Sequence, residues 1–254
     1  MMVILLGKDE TNKDAVMTWD PDRYEAWFDT PEGSYALDRE VQLLQAMLAG
    51  WPRRKRKLLE IGCGTGLFLE PLYQMGLDVT GIDKSQEMIR AARKRLGNRA
   101  TLSVGRGEHM GYSDNEFDYA LVWSVLEFTE DPEAMLVEAA RVAEKGLLVG
   151  FLNKNSLYYC MNVRGSGSSL SKAHWFTWCE MQDLIHKATD FRPTLARSVL
   201  AGPMKTWKPV GMSNQINARL LPPALGAFVA VRVDFVNMKP LTPLFAWKSE
   251  PEMG

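Results

Sequence analysis

Short apolar runs alternate with amphipathic stretches through the middle of the chain. The runs predict five strands, at residues 58–61, 79–83, 100–104, 117–123 and 147–152. Between them, apolar residues recur three and four positions apart, which is typical of helices that bury one face. Because strands alternate with helices, the pattern predicts an α/β fold with a doubly wound, mostly parallel sheet.

Two further strands are predicted at residues 194–199 and 228–235. The second alternates two sets of side chains, which favours an antiparallel strand with one drier face. The proline-rich segment 202–223 between them has no clear periodicity. It either covers a binding pocket or forms a loop excursion.

Two helices are predicted before the first strand. Asp20 and Pro21 are typical of a helix start, and the first helix carries three aromatic residues on one face, Tyr24, Trp27 and Phe28. Residues 30–33 interrupt it, and a second helix is predicted over about 37–48. The aromatic face either packs in the core or closes as a lid over a ligand, where it would line a substrate pocket.

These elements divide the chain into three parts. We expect an N-terminal helical cap over residues 1–50, a Rossmann-like domain over 51–240 with an insertion around 155–190, and an irregular tail over 241–254. With 254 residues and 46% hydrophobic content, the chain can bury a sizeable core.

Charge and cysteine content narrow the class of protein. A net charge of -1 gives no overall attraction to nucleic acid or to an anionic membrane. The basic run 53–57 is predicted to be a solvated turn, with phosphate or nucleic-acid contact as the alternative. Three cysteines cannot form a full disulfide framework, which favours a cytoplasmic protein. No apolar run has the length of a membrane span, so no stable membrane anchor is expected.

A glycine-rich turn follows the first predicted strand. Glu60 precedes Gly62, Gly64 and Gly66, and Asp83 ends the second strand 21 residues after Gly62. Glycines allow a sharp turn and a close approach of a ligand to the main chain. An acid at this spacing suits the hydroxyls of a ribose.

Ligands of parallel sheets bind at the carboxyl ends of the strands. We therefore expect five segments to converge there: residues 62–66, Asp83, residues 106–110, residues 123–128 and the surroundings of Asn153.

Four motifs together carry a family resemblance: LLEIGCGTG at 58–66, VTGIDKS at 79–85, DNEFDYA at 114–120 and DPEAMLVEAARV at 131–142. They resemble class I S-adenosylmethionine-dependent methyltransferases. The nearest branch is the small-molecule (type 11) one, which includes the ubiquinone and menaquinone biosynthesis methyltransferases. The resemblance covers about residues 50–155. It implies a seven-stranded sheet with an antiparallel last strand, S-adenosylmethionine as cofactor, S-adenosylhomocysteine as product and in-line methyl transfer to a small molecule.

Carried onto this chain, the resemblance implies a set of cofactor contacts. The amino-acid end would be held by Glu60, Gly62, Gly64 and Gly66, the ribose by Asp83, the adenine by Lys84, Met88 and Gly107, and the methionine part by Trp123 and Ser124. One position departs from the family, because Arg106 stands where an aspartate usually accepts from the adenine amino group. Arginine cannot accept a hydrogen bond. Either Glu108 takes that role, or the backbone and stacking hold the adenine.

Methyl transfer itself needs little side-chain chemistry. The sulfonium is already activated, so the protein chiefly aligns the acceptor and excludes water. A base is needed only if the acceptor must lose a proton, and the candidates are His174 and Glu127, with His109 as a third. Trp175, beside His174, is expected in the substrate pocket. The cysteines and histidines match no common metal spacing, so no metal is predicted.

Three functions remain open at this point. The first is a small-molecule methyltransferase. The second is a non-catalytic protein that binds S-adenosylmethionine with the same fold, a reading motivated by Arg106. The third is a nicotinamide-dependent oxidoreductase, which is disfavoured because no Tyr-x-x-x-Lys pair stands later in the chain.

Overall fold

Seven strands form one sheet in the computed structural model, which describes residues 20–166 and 169–235. They are β1 Lys57–Ile61, β2 Asp78–Asp83, β3 Ala100–Val104, β4 Phe117–Trp123, β5 Ala143–Leu152, β6 Leu195–Val199 and β7 Phe228–Asp234. The spatial order is β3-β2-β1-β4-β5-β7-β6. β7 pairs antiparallel with β5 and β6, and every other pair is parallel. The predicted fold class is therefore confirmed.

Seven α-helices accompany the sheet in the described residues. They are α1 Pro21–Phe28, α2 Pro31–Leu48, α3 Leu69–Gln74, α4 Gln86–Leu96, α5 Pro132–Val142, α6 Trp178–Thr189 and α7 Met212–Asn217. Several begin where the sequence predicts. Asp20, Ser85, Asp131 and Thr177 each accept a backbone N–H from the first turn of α1, α4, α5 and α6, respectively.

The second helix starts earlier than predicted. Thr30 caps it by accepting the Gly33 N–H at 3.1 Å, and Pro31 occupies its first turn. Proline suits that position because its missing N–H would have no helical partner. The segment 30–33 thus ends α1 and begins α2.

Two faces of the sheet carry separate hydrophobic cores. In β4, Tyr119, Leu121 and Trp123 belong to one core, and Ala120 and Val122 belong to the other. The first core packs against α2, α3 and α4, and we call it the α2 core. The second packs against α5 and α6.

The expected drier face of β7 is present, because Val229, Val231 and Val233 are fully buried whereas Arg232 and Asp234 on the other face are partly exposed. The contrast is limited to the second half of the strand, since Phe228 and Ala230 are fully buried too. β7 lies inside the sheet between β5 and β6, a position that an alternating pattern alone does not distinguish from an edge.

The later part of the chain extends the α2 core. The predicted insertion at 155–190 contains a π-helical turn, Tyr159–Val163, a 3-10 turn, Ser169–Lys172, and α6. The segment 202–223 buries Trp207 completely, and its Asn214 accepts a hydrogen bond from the Tyr35 hydroxyl of α2. Predictions for residues 1–19, including the start of the N-terminal cap, and for the tail at 241–254 fall outside the described residues.

Candidate cofactor cleft

A cavity opens at the carboxyl ends of β1, β2 and β4. It has about 720 Å³ of empty space, counting its open mouth, which is in the range of sites for small organic ligands. Its lining residues are Tyr24, Gly62, Gly64, Asp83, Lys84, Met88, Gly105, Gly107, Glu108, Trp123, Ser124, Val125, Phe128, Thr129 and Met135.

The glycine turn is fixed by backbone geometry and by packing. Gly62, Gly64 and Gly66 have φ of 72°, 54° and 78°, a region that favours glycine. The Gly62 N–H donates to the Ile82 carbonyl at 2.7 Å, which ties the turn to β2. Gly66 does not line the cavity. A Cβ there would lie 2.8 Å from Leu96 Cδ1, so this glycine lets the turn pack closely against α4.

Asp83 is held in place by two main-chain donors. Its Oδ2 accepts the Gly64 N–H at 2.9 Å, and its Oδ1 accepts the Ser85 N–H at 2.8 Å. Burial raises the pKa of Asp83, and these two hydrogen bonds oppose that shift. Each carboxylate oxygen has a second lone pair, so the fixed carboxylate can still accept from a ligand.

Glu60 lies behind the turn rather than on the cavity surface. Its side chain is buried, and its Oε2 has no hydrogen-bond partner. Burial, followed by the nearby charge of Asp83, raises the pKa of Glu60 well above its usual value. A cationic ligand group would satisfy this oxygen and favour its ionised form.

Glu108 is the acid that lines the cavity at the end near β3. Its Oε1 accepts a hydrogen bond from the Thr129 hydroxyl at 2.5 Å and lies 3.6 Å from Arg106 Nη2. The Arg106 side chain is 61% exposed and does not line the cavity. Lys84, Met88 and Gly107 line the same end.

The aromatic face of α1 is divided between the cavity and the core. Tyr24 lines the cavity, and its Cε1 lies 4.0 Å from where a Cβ on Gly64 would stand. Trp27 and Phe28 are buried in the α2 core and do not line the cavity. Trp27 and Phe28 thus do not form the expected lid, because their rings pack in the interior, and the lid stays a prediction for Tyr24.

An ion pair connects α1 to α4 beside the glycine turn. Arg95 Nη2 donates to Glu25 Oε1 at 2.5 Å, and Arg95 Nε donates to the Thr65 carbonyl at 3.1 Å. One guanidinium thus joins the helix that carries Tyr24 to the turn that Tyr24 covers.

The inner end of the cavity is formed where β4 stops. Trp123 lies between Phe68 and Phe228, with ring centroids 5.7 and 5.0 Å away. Ser124 has a φ of 56° and turns the chain toward the cavity. The Trp123 Nε1 and Ser124 Oγ atoms are buried and have no hydrogen-bond partner.

Comparison with known proteins identifies the domain. Residues 59–149 match the family described as a methyltransferase domain. The chain carries a class I S-adenosylmethionine-dependent methyltransferase domain. This agrees with the predicted class and with S-adenosylmethionine as the cofactor of the domain.

Individual relatives support the assignment over different lengths. An uncharacterised protein of Methanocaldococcus jannaschii is 34% identical over 53% of this chain and 60% of its own length. A ubiquinone biosynthesis O-methyltransferase of Maricaulis maris is 29% identical over 72% of each chain. A crystal structure of an S-adenosylmethionine-dependent methyltransferase of Thermotoga maritima, a possible histamine N-methyltransferase, has 27% identity and a TM-score of 0.65, covering 84% of this chain and 95% of that chain. The chain thus spans about three fifths of the first of these relatives.

The two predicted bases of the methyltransferase domain occupy different environments. Glu127 is buried, and its Oε1 accepts the Leu152 N–H at 2.6 Å. His174 is exposed, and its ring lies against Phe176 with centroids 4.4 Å apart. The His174 N–H donates to the Glu127 carbonyl at 3.0 Å, so the two candidates are neighbours through the backbone.

Trp175 lies in the α2 core instead of the cavity wall. It packs on Tyr158 and Tyr159 at centroid distances of 6.2 and 4.9 Å, and its Nε1 donates to the Leu170 carbonyl at 2.8 Å. Neither Trp175 nor His174 lines the cavity. The substrate-pocket prediction for Trp175 therefore has no support from the cavity lining, because its indole packs inside the protein.

Asn153 is also absent from the lining, contrary to the expected convergence. Its amide donates to the Gly226 carbonyl at 2.9 Å, and its N–H donates to the Ala227 carbonyl at 2.9 Å. These bonds join the end of β5 to the start of β7. Asn153, although it is a polar residue after a buried strand, therefore joins β5 to β7 and does not line the cavity.

Sequence reasoning missed several lining residues. Val125 and Phe128 fall in a segment expected at the site, but Thr129 and Met135 were not singled out as site residues. Met135 belongs to the motif at 131–142, which predicts a helix and does not mark Met135 as a site residue. It reaches the cavity because the first turn of α5 lies over the end of β4, which no local pattern reveals.

Two searches of the described residues concern metal sites and membrane-spanning helices. They contain no group of three or more His, Cys, Asp or Glu side chains placed to hold a metal ion. Within residues 20–166 and 169–235, no helix is long and apolar enough to cross a membrane.

Proposed function

We propose that the chain is an enzyme that transfers a methyl group from S-adenosylmethionine to a small-molecule acceptor. The observation that carries this proposal is the cavity at the ends of β1, β2 and β4, with fixed Asp83 beside a glycine turn and buried Glu60 behind it. The family match and the similarity to a ubiquinone biosynthesis O-methyltransferase support a small acceptor.

The polar groups around the cavity fit the parts of this cofactor. Asp83 would accept from the ribose hydroxyls, and Glu60 would receive the positive amino-acid end through its unpaired Oε2. Glu108, positioned by Thr129, would accept from the adenine amino group. Lys84, Met88 and the Gly107 backbone would flank the adenine.

The apolar lining fits the reacting end. When bound, the cofactor supplies a methyl group that is already activated on a sulfonium. The ring faces of Tyr24 and Trp123 can stabilise that positive charge, and such contacts are worth roughly 0.5–2 kcal/mol. Val125 and Phe128 would exclude water and keep the acceptor in line.

The cysteines support a reducing compartment, and we propose the cytoplasm. All three cysteines of the chain are free, and Cys160 and Cys179 are exposed. Exposed unpaired thiols are typical of proteins in reducing surroundings.

Titration calorimetry and a methylation assay test this function. We expect S-adenosylhomocysteine to bind and NAD not to bind. Incubation with methyl-labelled S-adenosylmethionine and a fractionated metabolite extract should give a labelled small molecule. Binding without any labelled product would favour the non-catalytic alternative, and binding of NAD alone would refute both.

A further inference from the structure

Several buried polar atoms of the α2 core have no hydrogen-bond partner. Three rings of this core have a buried N–H or O–H without a partner, Trp27, Trp123 and Tyr158. The Oε2 atom of Glu127 is likewise buried and without a hydrogen-bond partner. Native proteins rarely bury unpaired polar groups, and a carboxylate is the most costly of them.

The position of the Glu127 carboxylate is well defined. Its residue belongs to the 3-10 turn Leu126–Phe128, which follows the end of β4. Its Oε1 is fastened to the Leu152 N–H at the end of β5. The carboxylate therefore lies at the carboxyl ends of two adjacent parallel strands, where ligands of such sheets bind. Val125 and Phe128, close to it in sequence, line the cavity, and the buried Glu127 does not itself line it.

One charged side chain of the described residues affects the Glu127 carboxyl. Burial raises the pKa of Glu127 most, and the charge of buried Glu40 on α2 raises it further. The His174 N–H donates to the main-chain carbonyl of Glu127 and not to its carboxylate, and the exposed His174 ring faces Phe176. Glu40 also affects Tyr24, whose pKa it raises. Glu40 is thus within electrostatic range of both the Tyr24 side of the cavity and Glu127.

We propose that Glu127 Oε2 accepts a hydrogen bond from the methyl acceptor and removes its proton during transfer, so that the acceptor is an N–H or O–H nucleophile. This inference rests on the proposed methyl transfer and names its acceptor class. The acceptor nitrogen or oxygen forms the new bond to carbon as the carbon–sulfur bond breaks. The sulfonium takes that electron pair and becomes a neutral thioether, and the acceptor proton passes to the carboxylate.

The acidity of Glu127 agrees with this role. Burial raises its pKa to about 7, against an ordinary value of 4.5. A base with a pKa near the working pH is partly ionised and still holds a proton well. His174 is the weaker candidate because its ring is exposed to water, whereas the Glu127 carboxylate is buried and keeps an unpaired oxygen.

The test compares three variants of the full chain. Glu127→Gln keeps an oxygen for the Leu152 N–H but cannot remove a proton. Glu130→Gln changes an exposed acid three residues later, and His174→Gln removes the other candidate base. Each is assayed with labelled S-adenosylmethionine and the active fraction of the metabolite extract, and its affinity for S-adenosylhomocysteine is measured by calorimetry.

We expect Glu127→Gln to lower kcat by about 100-fold or more, the usual contribution of a general base. Its affinity for S-adenosylhomocysteine should stay within about twofold, since its side chain would contact the acceptor and not the cofactor. The control Glu130→Gln should keep kcat within about twofold of the parent, and His174→Gln should lower kcat less than Glu127→Gln does. In the parent, kcat should rise with pH through about 7, and the product should carry its methyl on nitrogen or oxygen by NMR.

Several results would overturn the inference separately from the proposed function. Normal transfer by Glu127→Gln, or a product methylated on carbon or sulfur, would leave the methyltransferase intact and remove the assigned base. If Glu127→Gln does not fold, the methylated atom and the pH profile of the parent still decide. Failure of the parent to bind S-adenosylhomocysteine or to label any product would instead refute the proposed function.

Discussion

The glycine turn and the α2 core differ in how far their buried polar groups are paired within the protein. In the turn, polar groups are largely paired within the protein: Asp83 accepts two main-chain N–H groups, and Gly62 donates to β2. In the α2 core, Trp27, Trp123 and Tyr158 keep buried polar atoms without partners, and so does Glu127 in the turn after β4. The first region is built before any ligand binds, and the second has hydrogen bonds left to make.

This difference fits the two proposed ligands. A cofactor that a whole class of methyltransferases shares can be recognised by backbone geometry and one fixed acid. An acceptor that differs between family members must be recognised by side chains that vary. Glu60 Oε2 and Thr65 Oγ1 are exceptions at the turn, because both atoms are buried and unpaired. An unpaired carboxylate oxygen of Glu60 suits a site for a positive group. The following predictions test which residues belong to each of the two regions.

The largest effect is expected from Trp27→Ala. Trp27 is 5% exposed and packs in the α2 core, so its truncation should lower the free energy of unfolding of the apo protein by about 3–5 kcal/mol. Tyr24→Ala, on the same helix, should cost much less stability and instead weaken binding of S-adenosylhomocysteine. Urea unfolding and calorimetry measure the two effects. If Trp27→Ala leaves the free energy of unfolding unchanged and weakens binding of S-adenosylhomocysteine, Trp27 belongs to the cofactor cleft and not to the α2 core.

The pH dependence of stability should report the buried carboxyl of Glu127. Its folded pKa of about 7 lies above its ordinary 4.5, so the folded protein holds a proton that the unfolded chain releases. Its contribution is full below pH 4.5 and is lost as the pH rises to about 7, by about 3 kcal/mol at most.

The pKa values of Glu60 and Asp83 are raised too. The pH dependence of the parent's stability alone therefore does not isolate the contribution of Glu127. The measurement is therefore the difference in urea stability between the parent and Glu127→Gln from pH 4.5 to 8. That difference should change with pH, and the difference between the parent and Glu130→Gln should not. Equal slopes for the parent and Glu127→Gln would mean that Glu127 titrates normally.

Asp83→Ala tests the glycine turn, whose polar groups are largely paired before any ligand binds. The substitution removes the acceptor of the proposed ribose hydrogen bonds, and one hydrogen bond to a charged group is worth about 1.5–3 kcal/mol. Affinity for S-adenosylhomocysteine should fall by about 10- to 150-fold in calorimetry. Asp78→Ala at the exposed start of the same strand is the matched control and should bind normally. Equal affinities for the two variants would place the cofactor elsewhere.

The two regions also differ in how far the sequence predicts them. Gly62 and Asp83 are recognisable because a turn with positive φ and an acid after the next strand are local features. Met135 reaches the cavity, and Trp175 leaves it, through contacts between distant elements. The segment 30–33 is predicted only to interrupt a helix. The sequence does not show that the next helix already begins at Pro31. Glu127 was a candidate from its position after β4, but its unpaired oxygen depends on the fold around it.

The smallest effect is expected from Arg106→Asp. Arg106 is the departure from the family pattern, but its side chain is mostly exposed and pairs with Glu108 at 3.6 Å. An exposed ion pair contributes only about 0–1 kcal/mol. The variant should therefore bind S-adenosylhomocysteine at least as tightly as the parent.

Glu108→Gln is the informative partner of Arg106→Asp. If Glu108 accepts from the adenine amino group, its replacement should weaken binding, while its hydrogen bond with Thr129 can still form through the amide. Calorimetry with S-adenosylhomocysteine and with its inosine analogue, which lacks that amino group, separates the two residues. Glu108→Gln should bind the two ligands with more nearly equal affinity than the parent does. A large loss on Arg106→Asp, with Glu108→Gln unchanged, would show that the arginine itself contacts the cofactor.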